Sequence, residues 1–131
     1  MADLHLVIVT PETTTFDETV DSVILPLVDG EAGILPGHAP MIGRLGPGEL
    51  RTVSGGQTQR FYVDGGFAQV TGKTVTVLPG RSIPADKIDV AAAEKALQDA
   101  QGEVAATTEL AELKSRSIAQ AKAQLRIAGR S

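Results

Sequence analysis

The segment GILPGHAP, residues 33–40, is the most restricted stretch of this chain, and strand-like sequence flanks it on both sides. Its two prolines hold φ at about −65° and bias Leu35 and Ala39, which precede them, towards extended conformations. Its glycines permit positive φ or close backbone approach. The segment is therefore predicted to be a rigid connection that carries His38. The His38 imidazole could either contact a partner or be satisfied within its own loop.

Most of the chain up to residue 79 has the sequence pattern of a β-sheet. Short runs of β-branched and aliphatic residues alternate with period two, and turn residues separate them about every ten residues. Apolar residues on both faces of the run 19–28 predict burial between layers, and Asp29-Gly30-Glu31 after it predicts a charged hairpin tip. The predicted strands cover residues 4–9, 19–28, 41–45, 49–53, 57–63, 67–70 and 74–78. So many short strands predict a sandwich or a small barrel.

After residue 80 alanine dominates and the apolar period becomes 3.6, which predicts two helices joined by a short connection. The first helix follows Asp86 and Asp89 and is broken or capped by Gly102; its apolar positions are Val90, Ala93, Leu97, Ala100 and Val104. The second follows a cap at Thr107 or Thr108 and ends before Gly129; its core-facing positions are Leu110, Leu113, Ser117, Ala121 and Leu125.

The two patterns together predict an α+β protein with the β part first. A β-sandwich domain would occupy residues 1–84 and an antiparallel two-helix hairpin residues 85–131. Alanine side chains bury little apolar area, so the hairpin is expected to be weakly held to the sandwich and able to detach.

Composition excludes several classes of function. Aromatic residues make up only 3% of the chain and its net charge is −4, which argues against nucleic-acid binding by stacking on a basic surface. There are no cysteines, and His5 and His38 alone could not make a zinc site. The N-terminus does not have the pattern of a signal peptide, and no run of about 18 apolar residues predicts a membrane span, so no direct membrane insertion is expected.

The sequence offers no convincing catalytic site. Asp64-Gly65-Gly66 lacks the strand-to-helix context and the following lysine of a P-loop and is predicted to be a hairpin turn. In the hairpin, glutamates at 103, 109 and 112 precede the basic residues Lys114, Arg116, Lys122, Arg126 and Arg130. This order either complements the helix dipole on a solvated face or forms a basic end that docks on an acidic partner.

Three features of the chain resemble the epsilon subunits of F-type ATP synthases along essentially its whole length. GILPGHAP, followed by Met41-Ile42 and then by Leu45-Gly46-Pro47-Gly48, is similar to a G-I/V-Y/L-P-G-H-A-P segment of that family. The strand and turn YVDGGF at residues 62–67 resemble its Y-V-S-G-G-F, and VTVL at 75–78 precedes the helical tail as it does there. The resemblance implies a sandwich of about ten strands and a C-terminal helical hairpin.

It further implies a non-catalytic subunit of the central stalk that couples proton-driven rotation to ATP synthesis. The expected partners are the gamma subunit, the ring of c subunits, and the alpha and beta subunits. The expected location is peripheral, on the cytoplasmic face of the bacterial inner membrane. On this reading Glu31, and Asp29 by adjacency, meet the c ring. His38 lies near the contacts with both gamma and the ring, and Thr10 faces gamma. Glu31 and His38 are expected at one exposed end of the sandwich.

For the hairpin, the resemblance implies an inhibitory element that permits ATP hydrolysis when folded on the sandwich and inhibits it when extended along gamma. The residues assigned to the contact with an acidic segment of the beta subunit are Arg116, Lys122 and Arg126.

One position departs from the resemblance. Some members of the family bind ATP in the folded hairpin through the motif I/L-D-x-x-R-A. Ile88, Asp89 and Ala93 match it, but Ala92 replaces the arginine, and Gln120 and Gln124 stand where further arginines are expected. No cofactor is therefore expected, because charge-assisted phosphate contacts are missing.

Two alternative functions remain open from the residues alone. One is a free-standing β-sandwich that binds a ligand in a concave apolar site and dimerises through a helical tail. The other is a small hydrolase in which His38 works with a nearby carboxylate, which requires a nucleophile or base within hydrogen-bond reach.

Overall fold

Ten strands followed by two helices make up the chain in the computed structural model, which describes residues 3–129. This order confirms the predicted sandwich of about ten strands with a C-terminal two-helix hairpin. The strands are β1 Leu4–Val9, β2 Thr14–Val20, β3 Ser22–Leu27, β4 Gly30–Ile34, β5 Met41–Arg44, β6 Gly48–Ser54, β7 Gln57–Asp64, β8 Phe67–Thr71, β9 Thr74–Leu78 and β10 Arg81–Pro84. A 3₁₀ turn, Ala85–Lys87, leads to the helices α1 Val90–Gly102 and α2 Thr108–Ala128.

The strands form two five-stranded sheets. Sheet I has the order β2-β1-β9-β8-β5, and sheet II has the order β10-β7-β6-β3-β4. Neighbours pair antiparallel except for β1 and β9, which pair in parallel. The parallel pair joins the N-terminal hairpin β1-β2 to the hairpin β8-β9, which is far away in sequence, within sheet I.

The main core lies between the sheets and is built mostly from aliphatic side chains. Phe16 and Phe61 are its two rings, and their edge-to-face contact has centroids 5.6 Å apart. The remaining buried members alternate along the strands, as period two requires: Leu4, Leu6, Ile8, Val20, Val23, Leu25, Ile34, Leu45, Leu50, Val63, Ala68, Val70, Val75 and Val77.

The run predicted as one strand over residues 19–28 is two strands in different sheets. β2 ends at Val20 in sheet I and β3 begins at Ser22 in sheet II, so Asp21 is the corner between them. The Asp21 amide donates to the Val53 oxygen at 2.7 Å, and the Gly55 amide donates to the Asp21 carboxylate at 3.1 Å. These contacts with the β6-β7 hairpin turn the chain at Asp21. The period-two pattern of the sequence continues through this position and therefore does not reveal the turn.

The charged hairpin tip also differs from its predicted position. β3 and β4 are joined by Val28 and Asp29, and Glu31 lies inside β4, opposite Pro26. Gly30 has φ 125°, which an L side chain rarely adopts, so the glycine sets the tip one residue earlier than predicted. Strand β10 lies between Pro79-Gly80 and the 3₁₀ turn and was not predicted.

Both helices begin at a side-chain cap; the cap of α2 at Thr107 was predicted, whereas Asp89 was expected near the start of α1 only as a carboxylate that complements the helix dipole. The Asp89 carboxylate accepts from the Ala92 amide at 3.0 Å, and the Thr107 hydroxyl accepts from the Leu110 amide at 3.1 Å. The prediction that Val104 belongs to the apolar face of the first helix is wrong, because α1 ends at Gly102 and Val104 is 91% exposed. Leu110 and Leu113 are also about half exposed.

The division of the chain into domains at residues 84 and 85 stays a prediction. In the structure β10 ends at Pro84, and the 3₁₀ turn that follows packs against the hairpin through Ala85. The outermost residues of both predicted domains, 1–2 and 130–131, lie outside the described part of the chain.

Candidate functional site: the hairpin interface and the exposed contact residues

The hairpin is docked on the outer face of sheet II. Phe61 and Val63 of β7 point into the main core, whereas Tyr62 between them points outward and is fully buried against the hairpin. It packs in a second, smaller cluster with Ile127 of α2. The other buried members of this cluster are Ile88 and Ala123, with Ile83, Ala85 and Ala128 at its margin.

A row of charged side chains crosses the same face of sheet II. Glu49 of β6 has a side chain that is only 4% exposed, and its two carboxylate oxygens accept from Arg51 Nη1 and Arg60 Nη1, each at 2.7 Å. The hydrogen bond with Glu49 raises the pKa of Arg51 above its ordinary value. Arg51 also reaches Glu31 at 3.4 Å. A buried carboxylate between two guanidiniums is charge-compensated, which burial requires.

Arg60 connects this charged row to the hairpin. Its Nη1 donates to the main-chain oxygen of Ile127 at 3.1 Å, and Ile127 lies in the last turn of α2. Main-chain oxygens in the last turn of a helix lack complete intrahelical pairing and carry the negative end of the helix dipole. The guanidinium therefore binds α2 where a cation is most favourable.

Tyr62 has a polar contact as well as an apolar one. Its hydroxyl donates to the Asp64 carboxylate at the end of β7. Burial, followed by the interaction with Asp64, raises the pKa of Tyr62, and Gln124 and Arg81 act in the opposite direction. Gln124 of α2 is itself buried, so this corner of the interface is polar but enclosed.

Three of the four predicted contact residues lie towards one end of the sandwich. Thr10 occupies the β1-β2 turn, where its hydroxyl donates to the Thr13 oxygen at 3.1 Å. Asp29 is at the exposed β3-β4 tip and Glu31 is one pair away from it. The strand registers bring the C-terminal ends of β1, β9 and β5 to one end of sheet I. The Val28 amide donates to the Arg44 oxygen at 2.9 Å, which places the β3-β4 tip at the same end.

His38 lies towards the other end, so the expectation that it shares one end with Glu31 is wrong. The loop that carries it starts after Ile34, which pairs with Val23 near the beginning of β3. The His38 amide donates to the Leu35 oxygen at 3.1 Å, and Nδ1 lies 2.7 Å from the Ala39 oxygen and must donate to it. The imidazole is half-buried and satisfied by its own loop, and no hydrogen bond to a nucleophile or base is found for it among the described residues.

The basic residues predicted to contact a beta subunit all lie on α2. Arg116, Lys122 and Arg126 are exposed to solvent in the docked hairpin. Lys114 differs from them, because it is half-buried and donates to the Glu103 oxygen at 2.9 Å.

Sequence reasoning did not find the residues that join the hairpin to the sandwich. Glu49, Arg51 and Arg60 look like solvated strand residues, and Ile127 was not among the predicted core-facing positions. One signal was present, since the consecutive bulky residues Phe61, Tyr62 and Val63 indicate a strand covered on both faces.

Comparison with known proteins identifies the family. Residues 3–85 match the family model described as ATP synthase, Delta/Epsilon chain, beta-sandwich domain. Over 125 residues, 94% of this chain and 96% of its relative, the sequence is 49% identical to the ATP synthase epsilon chain of Rhodopirellula baltica. The chain belongs to the ATP synthase epsilon family. The epsilon chain of Granulibacter bethesdensis is 44% identical over 84% of this chain and 82% of its own length.

Solved structures share the fold of this epsilon-family chain. A chain of the Euglena gracilis mitochondrial ATP synthase assembly of OSCP, F1 and c-ring aligns over 99% of this chain and 83% of its own, with a TM-score of 0.87 and 23% identity. A chain from the Tetrahymena thermophila mitochondrial ATP synthase central stalk and c-ring aligns over 95% and 96%, with a TM-score of 0.68 and 12% identity. Because both chains are less than 25% identical to this one, the comparison with them shows a shared fold and no more.

A cleft between the hairpin and β10 contains the positions of this epsilon-family chain that were considered for nucleotide binding. It measures about 440 Å³, and Ala92, Gln120 and Gln124 all line it. Arg81 and Lys87 line it too, and sequence reasoning had not considered them. A second cleft of about 510 Å³ lies between β7, the 3₁₀ turn and the end of α2 and has a mixed polar and apolar lining.

Two features are absent from residues 3–129 of this epsilon-family chain. No group of three or more histidine and acidic side chains is placed to hold a metal ion. Neither helix in this part of the chain combines the length and apolar character that crossing a membrane requires.

Proposed function

We propose that this chain is the non-catalytic epsilon subunit of the central stalk of an F-type ATP synthase, where it couples proton-driven rotation of the c ring to ATP synthesis. The observation that carries the proposal is the 49% identity to an ATP synthase epsilon chain over 94% of this chain, sandwich and hairpin included. The similar solved structures belong to ATP synthase assemblies that contain F1, central-stalk and c-ring components, which are partners of the same kind.

The two ends of the sandwich suit two different contacts. At one end the exposed tip with Asp29 lies close to Glu31 and to Val28, whose side chain is 58% exposed. The two carboxylates at this end fit the polar loops of a c ring, whereas Val28 provides an apolar contact beside them. At the other end His38 lies between Leu35 and Ile42, which are 62% and 69% exposed.

Exposed aliphatic side chains around a rigid loop fit a protein contact, and we assign this second end to gamma. Thr10 lies at the first end and is the gamma contact nearest the c ring. The alpha and beta subunits would then be reached only by the hairpin.

The second part of the proposal concerns inhibition of ATP hydrolysis by the hairpin. Docked on sheet II, the hairpin leaves Arg116, Lys122 and Arg126 in solvent. If it detaches and extends along gamma, these cations can meet an acidic segment of the beta subunit. The limited apolar contact between hairpin and sandwich, centred on Ile127 and Tyr62, supports a reversible docking of this kind.

No nucleotide cofactor is part of the proposal. Ala92 and the two glutamines in the hairpin cleft provide no cation for a phosphate, and Arg81 and Lys87 are the basic residues that remain in its lining. We expect no binding of ATP at concentrations below about 1 mM, because charge-assisted contacts provide much of the affinity for phosphate. Calorimetric titration tests this, and a micromolar dissociation constant would contradict it.

The proposed location is peripheral, on the cytoplasmic face of a bacterial inner membrane. Attachment would come from the c ring and gamma. This part rests on the epsilon-family relatives, two of which come from bacteria.

The decisive experiment measures ATP hydrolysis by a catalytic complex that contains gamma but has been stripped of its epsilon subunit. The whole chain and a chain cut after Pro84 are added back, and binding to the complex is measured separately. We expect both to bind and only the whole chain to suppress hydrolysis. Failure of both to bind would overturn the subunit assignment, whereas suppression by the cut chain would overturn only the role of the hairpin.

A further inference from the structure

Within residues 3–129, the interface between hairpin and sandwich combines a small apolar cluster with a charged contact to the main chain of α2. Among residues 3–129 the apolar cluster contains four buried residues, of which Ile88, Ala123 and Ile127 come from the segment 85–131 and Tyr62 comes from the sandwich. The charged contact is the hydrogen bond of 3.1 Å from Arg60 Nη1 to the Ile127 oxygen. Apolar burial on this scale is modest, so the charged contact contributes a large share of what distinguishes the docked from the detached hairpin.

Arg60 has a partner within the sandwich as well as one in the hairpin. The same Nη1 atom that donates to Ile127 also contacts Glu49 Oε2 at 2.7 Å, and Glu49 is fixed from its other oxygen by Arg51. A guanidinium that is already oriented loses less conformational freedom when it forms a further hydrogen bond. Its target is the negative end of the α2 dipole.

The charged residues on this face of sheet II can be solvated by water when the hairpin detaches. The uncovered face would expose the charged residues Glu49, Arg51 and Arg60, which water solvates well, with Tyr62 as its main apolar group. A wholly apolar interface of the same area would expose an aggregation-prone apolar patch after the hairpin is released. The outer face of sheet II is therefore suited both to contact with the docked hairpin and to exposure to water after the hairpin detaches.

We propose that Arg60, held by the buried carboxylate of Glu49, is the latch residue of the hairpin, and that its bond to the Ile127 oxygen must break when the hairpin is released. The latch concerns docking within the isolated chain. Its effect on ATP hydrolysis rests additionally on the proposed inhibitory function.

Tyr62 provides a reporter of docking that needs no label. It is the only tyrosine, the chain has no tryptophan, and its side chain is fully buried under α2. Quenching of Tyr62 fluorescence by acrylamide therefore measures the detached population in the full-length chain. Amide exchange of β7 and β6, measured in parallel, reports whether the sandwich itself stays folded.

The main comparison is Arg60→Met against Arg51→Met. Each variant removes one guanidinium partner of Glu49, but among residues 3–129 it is Arg60, and not Arg51, that is hydrogen-bonded to the hairpin. We expect Arg60→Met to raise the detached population about tenfold or more, and Arg51→Met to raise it less than about threefold. Equal effects of the two variants, or no effect of Arg60→Met, would overturn the latch.

A second pair of variants covers the possibility that Arg60→Met unfolds the sandwich by leaving Glu49 under-compensated. Glu49→Gln removes the buried charge and keeps an acceptor oxygen, so Glu49→Gln is compared with Glu49→Gln/Arg60→Met. The latch predicts that losing Arg60 in the neutral background still raises the detached population several-fold. No difference within this pair would show that Arg60 acts only by neutralising Glu49, and the latch would be rejected.

These results separate the latch from the proposed function. If Arg60→Met detaches the hairpin but hydrolysis by the catalytic complex is unchanged, the latch stands and the inhibitory role fails. If the hairpin stays docked in Arg60→Met, the role proposed for Arg60 is rejected whatever the hydrolysis assay shows.

Discussion

Tyr62 of β7 and Ile127 of α2 are both completely buried, and they belong to the same small cluster between sandwich and hairpin. Tyr62 is contributed by the middle of the sandwich sequence, whereas Ile127 lies near the end of the chain. Each side chain is buried only because the other element covers it. The stability of docking can therefore be perturbed from either side without touching the core between the sheets.

Replacing Ile127 by alanine should weaken docking and leave the sandwich intact. Truncating a fully buried isoleucine costs about 2–5 kcal/mol, and here the loss falls on the interface. We expect faster amide exchange throughout α2 with unchanged exchange in β1 and β9. Leu113→Ala is the matched control, because Leu113 is on the same helix but 51% exposed and should change exchange little. Equal effects of the two variants would contradict the interface described here.

Tyr62 should titrate above the ordinary tyrosine range while the hairpin is docked. Burial and the hydroxyl's hydrogen bond to Asp64 raise its pKa, against smaller opposite effects of Gln124 from α2 and Arg81 from β10. The stabilisation is complete below the pKa of an exposed tyrosine, about 10, and is lost as the pH rises through the raised pKa of the folded chain. Docking should therefore weaken only in strongly alkaline solution.

Absorbance of tyrosinate during an alkaline titration measures the pKa of Tyr62 directly, since the chain has one tyrosine. Asp64→Asn should move the Tyr62 pKa down towards its ordinary value because it removes the neighbouring negative charge. A transition at the pKa of free tyrosine in the intact chain would mean that Tyr62 is not enclosed by the hairpin.

Gly66→Ala should destabilise the sandwich far more than Gly56→Ala. Both glycines have positive φ, 74° and 80°, so both variants carry the backbone strain of an L residue in that region, about 1–2 kcal/mol. A Cβ on Gly66 would in addition overlap the main-chain oxygen of Leu78, whereas nothing lies within 4 Å of a Cβ on Gly56. We expect an excess cost of at least about 2 kcal/mol for Gly66→Ala. Urea denaturation measures both, and similar midpoints would refute the close packing of the β7-β8 turn on β9.

Removing the three exposed cations of α2 should relieve inhibition without weakening assembly. The variant Arg116→Gln/Lys122→Gln/Arg126→Gln keeps the length and polarity of these side chains but cannot pair with an acidic segment of the beta subunit. We expect it to bind the catalytic complex as the parent chain does and to suppress hydrolysis at least about fivefold less. Lys95→Gln, which removes an exposed cation from α1, is the control. Full inhibition by the triple variant would contradict the assigned contact.

Short-range patterns predicted much of the architecture. The alternation of Leu4, Leu6 and Ile8 predicts a half-buried strand whatever it pairs with, and the side chains of Asp89 and Thr107 cap helices within three residues of their own position. Such features depend on neighbours in the chain, so sequence patterns report them well. The specific motif around GILPGHAP then indicated the family.

Contacts between distant residues could not be predicted in the same way. The break at Asp21 depends on hydrogen bonds with Val53 and Gly55, and the unbroken alternation of residues 19–28 contains no sign of it. The opposite placement of Glu31 and His38 follows from the register of β4 with β3. Registers are chosen by the packing of whole sheets, and one-residue differences in pairing are invisible to local periodicity.

The sequence by itself therefore determined that a strand-rich part precedes two helices, the cap of α2 and the family, because each depends on local preferences or on a motif that is contiguous in the chain. Only the tertiary structure decided that Glu49 is buried, that Tyr62 faces α2 and that Arg60 binds an oxygen 67 residues away. The physical reason is that burial and charge compensation depend on which surfaces meet, and two surfaces meet only after the chain has folded.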